Sequence, residues 1–399
     1  FMTLIQSVSG IRGTIGGVPG QNLTPPDMVK FATGYAQWLT QRYPNQNIHV
    51  ILGRDSRPSG PSLANMVAHT LAFCGIQVTD LGLSTTPTVE MAVPAYKAQG
   101  GIILTASHNP VEWNALKLLN EKGEFLSAAD GQALMELVQQ GGNPYVDVAQ
   151  LGSVKLADAF IEEHVDQIVQ HPFVFQESIA AANFSVSING VHSSGGVALP
   201  ILLKALGVNQ IHNPYGTPTG RFPHNPEPLP EHLEGYCRQV KESGADVGFV
   251  VDPDVDRLAI VCEDGSFFGE EYTLVAMADY LLAKRPGPVV SNLSSSRALA
   301  DVAAWHGCER FTSAVGEVHV VQKMKEVGAV LGGEGNGGVI FPDLHYGRDA
   351  LIGVALFLSF MAETGLKPTQ IRAKYPAYAM SKRKVNLEGK APADEVLQQ

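Results

Sequence analysis

Two short stretches of this 399-residue chain place reactive side chains where an apolar run gives way to a turn. In Thr105-Ala106-Ser107-His108-Asn109-Pro110 a hydroxyl stands beside an imidazole, and Asn109-Pro110 forces a turn after the buried-looking run Gly101 to Leu104. A turn of this kind is where an α/β protein can expose a nucleophile, although Ser-His pairs in turns also simply hydrogen-bond their own backbone. In Asp252-Pro253-Asp254-Val255-Asp256-Arg257 carboxylates recur at alternate positions after the apolar run Val247 to Val251. Oxygen ligands so spaced can converge on one hard cation, Mg²⁺ or Ca²⁺; the plain alternative is a solvated acidic turn. An EF-hand does not fit, because Arg257 stands where its glycine belongs and Leu258 to Val261 reads as a strand.

A third loop, Gly332 to Gly338, carries Glu334 and Asn336 among its glycines. It lacks the lysine and spacing of a P-loop. Glu334 can accept hydrogen bonds and Asn336 can donate and accept, as sugar hydroxyls require, but a flexible hairpin explains the composition equally well. Glu317, after Val315-Gly316, is either a substrate contact or an ordinary helix start. Near the start of the chain Arg12 sits in Ser9-Gly10-Ile11-Arg12-Gly13-Thr14, where glycines would let a guanidinium approach a phosphate, or where a surface turn would suffice.

The elements that must carry these loops alternate strand and helix in three rounds. The first has strands at 48–52 and 76–78, helices at 61–73 and 88–97, and a third strand that delivers Ser107. The second has strands at 184–188 and 209–211, helices at 197–206 and 231–242, and the strand 247–251 that delivers Asp252. The third has strands at 288–292 and 310–312, helices at 297–305 and 318–325, and the strand 329–332 that delivers Glu334. Such alternation predicts an α/β fold: three similar domains with mixed or parallel sheets, each bringing one loop to a central cleft. The expected divisions are 1–150, 151–265 and 266–373, with 374–399 a linker and the beginning of an incomplete fourth domain.

Composition narrows the partners. Hydrophobic residues make up 45% and charged residues 17%, enough for large cores. The net charge of −11, without a basic run, argues against nucleic acid or an anionic membrane as partner. Cys74, Cys237, Cys262 and Cys308 lie far apart and form no CxxC pair, as expected for thiols in a reducing, cytoplasmic setting. The apolar stretch Ala350 to Ala362 is too short to span a bilayer and reads as a buried helix. Nothing in the sequence marks an oligomeric interface.

Taken together, Ser-Gly-Ile-Arg-Gly, Gly53-Arg54-Asp55-Ser56-Arg57, Thr-Ala-Ser-His-Asn-Pro, Asp-Pro-Asp-Val-Asp-Arg and the Gly-Glu-x-x-Gly loop, in this order, resemble the α-D-phosphohexomutases of the phosphoglucomutase/phosphomannomutase type. The resemblance implies an isomerase that exchanges hexose 1-phosphate and hexose 6-phosphate through a phosphoserine and a hexose 1,6-bisphosphate, which also acts as activator. It implies a phosphoryl group on Ser107, with Mg²⁺ bound there and by Asp252, Asp254 and Asp256. It further implies charge stabilisation by Arg12 and Arg257, positioning by His108, acid/base work by Lys117 and sugar contacts from Glu334, Asn336 and Glu317. Lys117 could also be a surface lysine on its spacing alone. The family's Ser/Thr-rich phosphate loop of a fourth domain has no counterpart between Tyr375 and Gln399, and Asn336 replaces a serine common in the family. The choice among glucose, mannose and glucosamine phosphates therefore stays open, phosphoglucosamine mutase being the nearest alternative. A phosphatase of the haloacid-dehalogenase type, with an aspartyl nucleophile in Asp-x-Asp, would leave Ser107 without a role. An inactive sugar-phosphate-binding module would never acquire a phosphoserine.

Overall fold

The computed structural model describes residues 2–7, 10–157 and 160–378. Ser9 and the tail expected to open a fourth domain, including Lys382 to Val385, lie outside the described residues.

The first sheet holds β1 (Ile5–Ser7), β2 (Gly10–Thr14), β3 (His49–Arg54), β4 (Gln77–Leu83), β5 (Gly100–Leu104), β6 (Trp113–Leu119) and β7 (Val154–Leu156), in the order β1-β2-β6-β5-β3-β4-β7. Helices α1 (Pro25–Arg42), α2 (Gly60–Phe73), α3 (Thr86–Ala95) and α4 (Ala128–Gln140) cover it. Separate apolar clusters fill its two faces, as expected when βαβ crossovers place helices on both sides.

Next come α5 (Phe160–Val169), α6 (Gln176–Ala182), β8 (Ser185–Asn189), α7 (Gly195–Ala205), β9 (Gln210–His212), α8 (Pro230–Ser243), β10 (Val247–Val251) and β11 (Leu258–Cys262), giving a sheet ordered β11-β10-β8-β9. The third sheet, β13-β12-β14-β15, is built from α9 (Glu270–Leu282), β12 (Val289–Asn292), α10 (Ala298–Trp305), β13 (Arg310–Ser313), α11 (Glu317–Val327), β14 (Leu331–Glu334) and β15 (Gly338–Ile340). The helices α12 (Ala350–Thr364) and α13 (Pro368–Ala373) follow. Helix α12 is buried continuously from Ala350 to Met361, as its all-round apolar sequence demands, and lies in the core that joins the second and third sheets.

One device recurs. In each sheet the last parallel strand (β5, β10, β14) is buried at every position and returns through a short loop into an antiparallel strand (β6, β11, β15). The loops of these returns are 105–112, 252–257 and 335–337. The three rounds are thus present, with differences from the sequence reading. The strand expected at 76–78 runs on to Leu83, and the helix expected to reach Lys97 stops at Ala95. Helices α1 and α4 and the return strand β6 had no counterpart in the reading. No helix among the described residues is long and apolar enough to cross a membrane.

Candidate active site

Ser107 stands at the end of β5 with φ +49°, a left-handed conformation that is uncommon outside glycine and asparagine. What holds it there is the Gly53-Arg54-Asp55-Ser56-Arg57 segment. Arg57 is fully buried and all its donors are used. Its Nε meets Asp55 at 3.0 Å, one terminal nitrogen donates to the carbonyls of Ser107 and Asn109 at 2.6 Å each, and the other donates to those of Pro110 and Trp113. Asp55 also accepts from Thr105 Oγ1 at 2.7 Å, and Thr105 Oγ1 accepts the amide of Ser107 at 3.0 Å. The strained turn is therefore over-determined by a buried ion pair and by the backbone carbonyls that the guanidinium gathers. Arg57→Ala is expected to cost about 3–5 kcal/mol, because it strands Asp55 as an uncompensated buried charge. Denaturant unfolding checks this, and a loss below about 1 kcal/mol would mean that the loop holds itself.

The Asp252 loop carries a comparable outlier, the β-branched Val255 at φ +66°. Ser107 Oγ donates to Asp252 Oδ2 at 2.6 Å, while Asp252 Oδ1 accepts the amides of Asp256 and Arg257 at 3.2 Å each. Asp254 Oδ2 accepts from Thr86 Oγ1 at 2.6 Å and from Lys117 Nζ at 2.7 Å. Asp256 Oδ2 accepts from Arg348 at 2.6 Å and lies 3.5 Å from Lys117 Nζ. The three carboxylates are fully buried, and each offers an oxygen within 4.8 Å of the others'. Asp254 Oδ1 and Asp256 Oδ1 find no donor among the described residues. Burial, then the charges of Asp256 and Asp254, push the Asp252 carboxyl well above the ordinary range. Burial pushes Asp254 up as well, but Lys117 outweighs it and holds that carboxylate below its usual value. Desolvation works against the Lys117 ammonium; Asp254 and Asp256 overcome it and raise its pKa. These are hard oxygen donors, crowded and short of positive charge, which is the donor set that Mg²⁺ takes.

The structure brings most of the singled-out residues to this point. Lys117, on β6 one strand from Ser107, is 13% exposed and tied to two of the aspartates, so it is no solvated surface lysine. His108 Nδ1 lies 3.3 Å from Ser107 Oγ, and its pKa is pushed down to about 3 by burial and by the Arg257 charge. Glu227, on the proline-rich loop before α8, approaches both His108 and Arg257 at 4.0 Å. Arg257 Nε is buried without a hydrogen-bond partner among the described residues. Glu334 accepts from Asn292 at 2.8 Å and Arg348 at 2.6 Å, and Glu317, at the start of α11, accepts from Arg348 at 2.8 Å. Burial pushes Glu317 up to about 7 despite the guanidinium. Asn336 Oδ1 accepts the amide of Gly338 at 3.2 Å and so fastens its own hairpin. Arg12 is the exception: it is exposed on β2 and makes no ion pair with Asp252, Asp254 or Asp256 among the described residues.

The residue that sequence reasoning missed is Arg348. Its three nitrogens reach Asp256, Glu317 and Glu334 at 2.6–2.8 Å and so join the aspartate loop to the glycine-rich loop. A signal existed, since Gly347-Arg348-Asp349 repeats the Gly53-Arg54-Asp55 triplet of the first domain.

Comparison with known proteins follows the same lines. Three family profiles match: phosphoglucomutase/phosphomannomutase α/β/α domain I at residues 4–144, domain II at 162–265 and domain III at 269–378. The phosphoglucomutase/phosphomannomutase of Thermococcus kodakarensis is 32% identical over 381 residues, covering 94% of this chain and 82% of that protein. A Methanopyrus kandleri protein named "Probable phosphoglucosamine mutase" is 29% identical, covering 94% of this chain and 80% of its own length. The crystal structure of a protein from Thermus thermophilus superposes with a TM-score of 0.84 at 24% identity, covering 93% of this chain and 83% of that one, a likeness of fold.

Proposed function

Since this chain belongs to the phosphoglucomutase/phosphomannomutase family of α-D-phosphohexomutases, which are intramolecular phosphotransferases, we propose that it interconverts hexose 1-phosphate and hexose 6-phosphate through a phosphoserine at Ser107. Glucose and mannose phosphates are the first substrates to consider, with glucosamine phosphate the alternative. The observation that carries this reading is the Ser107 hydroxyl, held in a strained turn and hydrogen-bonded to the first of three converging carboxylates.

The residues divide the work as follows. In the phosphorylated enzyme the Ser107 Oγ–P bond breaks as a sugar hydroxyl oxygen bonds to phosphorus; the hydroxyl proton leaves to a base, and the product is a 1,6-bisphosphate. The bisphosphate turns over in the cleft and its other phosphoryl group returns to Ser107. Asp252, Asp254 and Asp256 would hold Mg²⁺ together with a phosphoryl oxygen on Ser107, and the bound ion would neutralise charge on the group in transit. Asp254 Oδ1 and Asp256 Oδ1, which lack donors, support that ligand set. Arg257 faces the same charge with an uncommitted Nε. Lys117 is the proposed acid/base; Asp254 and Asp256 keep it an ammonium, able to donate a hydrogen bond to the oxygens that exchange the phosphoryl group, and proton release from it requires that this pairing be weakened. His108 stays neutral above about pH 3 and, with its proton on Nδ1, can donate a hydrogen bond to Oγ, whose own proton goes to Asp252. Glu334, Glu317 and Asn336 would grip sugar hydroxyls, and Arg12 would help to stabilise phosphoryl charge. We take residues 1–150, 151–265 and 266–373 as the domains that supply the three loops.

Intact mass tests the proposal. Incubation with glucose 1,6-bisphosphate should add one phosphate-sized increment, mapped to Ser107, and the primed enzyme should turn over glucose, mannose or glucosamine phosphate offered in parallel. Release of inorganic phosphate without any serine increment would replace the mutase with an aspartyl phosphatase. Binding of hexose phosphate with neither outcome would leave a silent binding module.

A further inference from the structure

We propose that His164, His345 and Asp349 form a second metal site, for a zinc-class transition ion, at a junction of three chain segments outside the reacting centre. His164 comes from α5, and His345 and Asp349 from the turn between β15 and α12; Thr88 and Glu90 of α3 back them.

The donor geometry is compact. His164 Nε2 lies 2.9 Å and His345 Nε2 3.3 Å from the same oxygen, Asp349 Oδ2, and all three donors fall within 4.8 Å of one another. Nitrogen and oxygen donors bound at ~2.0–2.2 Å around a tetrahedral ion stand roughly 3.3 Å apart. The two distances to Asp349 Oδ2 lie within a few tenths of an ångström of that value.

The outer atoms are already oriented. His164 Nδ1 is 3.0 Å from Thr88 Oγ1, which is itself paired with Thr85 at 2.6 Å. His345 Nδ1 faces Glu90 Oε2 at 3.4 Å. Asp349 Oδ1 accepts the Leu351 and Ile352 amides at the start of α12, which turns Oδ2 toward the two imidazoles. A partner on the outer nitrogen of each histidine is how metal-ligating imidazoles are held.

A separate observation asks for positive charge. Glu90 is 1% exposed, and apart from the 3.4 Å approach of His345 Nδ1, which falls short of hydrogen-bond geometry, neither of its oxygens meets a donor among the described residues. Asp349 is a second fully buried carboxylate. A divalent cation between two neutral imidazoles would balance both carboxylates. Without one, protons must do it. Gly347 permits the approach, since a Cβ there would stand 1.8 Å from Glu90 Oε2. Two imidazole nitrogens and one carboxylate select a zinc-class ion over Mg²⁺, whereas the all-carboxylate set at Asp252, Asp254 and Asp256 selects the reverse. Because Asp349 follows Arg348, an ion here would fix the base of the arginine that joins the two loops.

The test uses the full chain, stripped with chelator and then titrated with Zn²⁺ or Co²⁺ in excess Mg²⁺. The expected result is one tightly held Zn²⁺ per chain, a tetrahedral Co²⁺ absorption in the visible and a midpoint of thermal unfolding raised by roughly 5 °C. The Co²⁺ band should persist in Asp252→Asn and vanish in His345→Gln. No stoichiometric uptake by the wild-type chain overturns the proposal whether or not the histidine variant folds. So does a Co²⁺ band lost in Asp252→Asn and kept in His345→Gln.

Discussion

Ser107→Ala should lower hexose-phosphate turnover by at least about 10⁴-fold, because the step that forms and breaks the phosphoserine loses its only acceptor. The fold should survive. The turn is held by Arg57 through backbone carbonyls of Ser107 and Asn109, and those bonds do not involve the hydroxyl. What the substitution removes is a donor to Asp252 Oδ2, a buried acceptor, at a cost of about 1–3 kcal/mol. The adjacent cation ligands remain, so Mg²⁺ should still bind. The measurement is coupled-assay turnover beside intact mass and circular dichroism on one preparation. A variant that folds, takes no phosphate and does not turn over fits the proposal. A variant that folds and keeps more than a tenth of wild-type activity refutes the phosphoserine route, and phosphate release by it would point to Asp252 or Asp254 as nucleophile.

Of the strands that deliver the loops, β10 was the most legible, whereas the one expected at 329–332 lies at Leu331–Glu334 and holds Glu334 within it. Val247 to Val251 is apolar at every position but glycine, and it forms β10 over the range read from the sequence. Such a run has few alternatives in a chain of alternating strands and helices. The return strand β6 was illegible for the opposite reason. Trp113-Asn114-Ala115-Leu116-Lys117-Leu118-Leu119 has a lysine in mid-strand, and only the distant Asp254 and Asp256 make that burial tolerable. Local pattern cannot report a partner more than a hundred residues away. The same limit hid Arg348, whose carboxylates come from three separate stretches, and Glu90, which reads as a polar position on α3 yet is buried against His345. The glycines beside Arg12 have a structural duty that the sequence did not reveal: a Cβ at Gly10 would lie 2.3 Å from the Leu116 carbonyl oxygen, and one at Gly13 would lie 3.1 Å from the Leu23 amide.

Arg348→Ala should be the most damaging change that leaves every proposed reacting group in place. The guanidinium is the shared counter-charge of Asp256, Glu317 and Glu334, all buried. Its removal strands those carboxylates at a cost of about 3–5 kcal/mol, a drop of roughly 5 °C in the unfolding midpoint for a chain of this size. Loss of the tie between the two loops should also lower kcat/KM by about 10²–10³-fold, since placement of sugar against phosphoserine then rests on weaker contacts. Lysine cannot substitute, because one ammonium cannot present a planar fork to three carboxylates, so Arg348→Lys should recover only part of either loss. The decisive comparison is a double-mutant cycle on stability. Glu334→Gln alone leaves Arg348 with two carboxylates; with Arg348→Ala it also removes one of the stranded charges. If the charges are coupled as the geometry requires, the double variant loses less than the sum of the single losses by about 1 kcal/mol or more. Strict additivity would mean that Arg348 acts through packing alone, and the link between the aspartate loop and the sugar-side loop would have to be sought elsewhere.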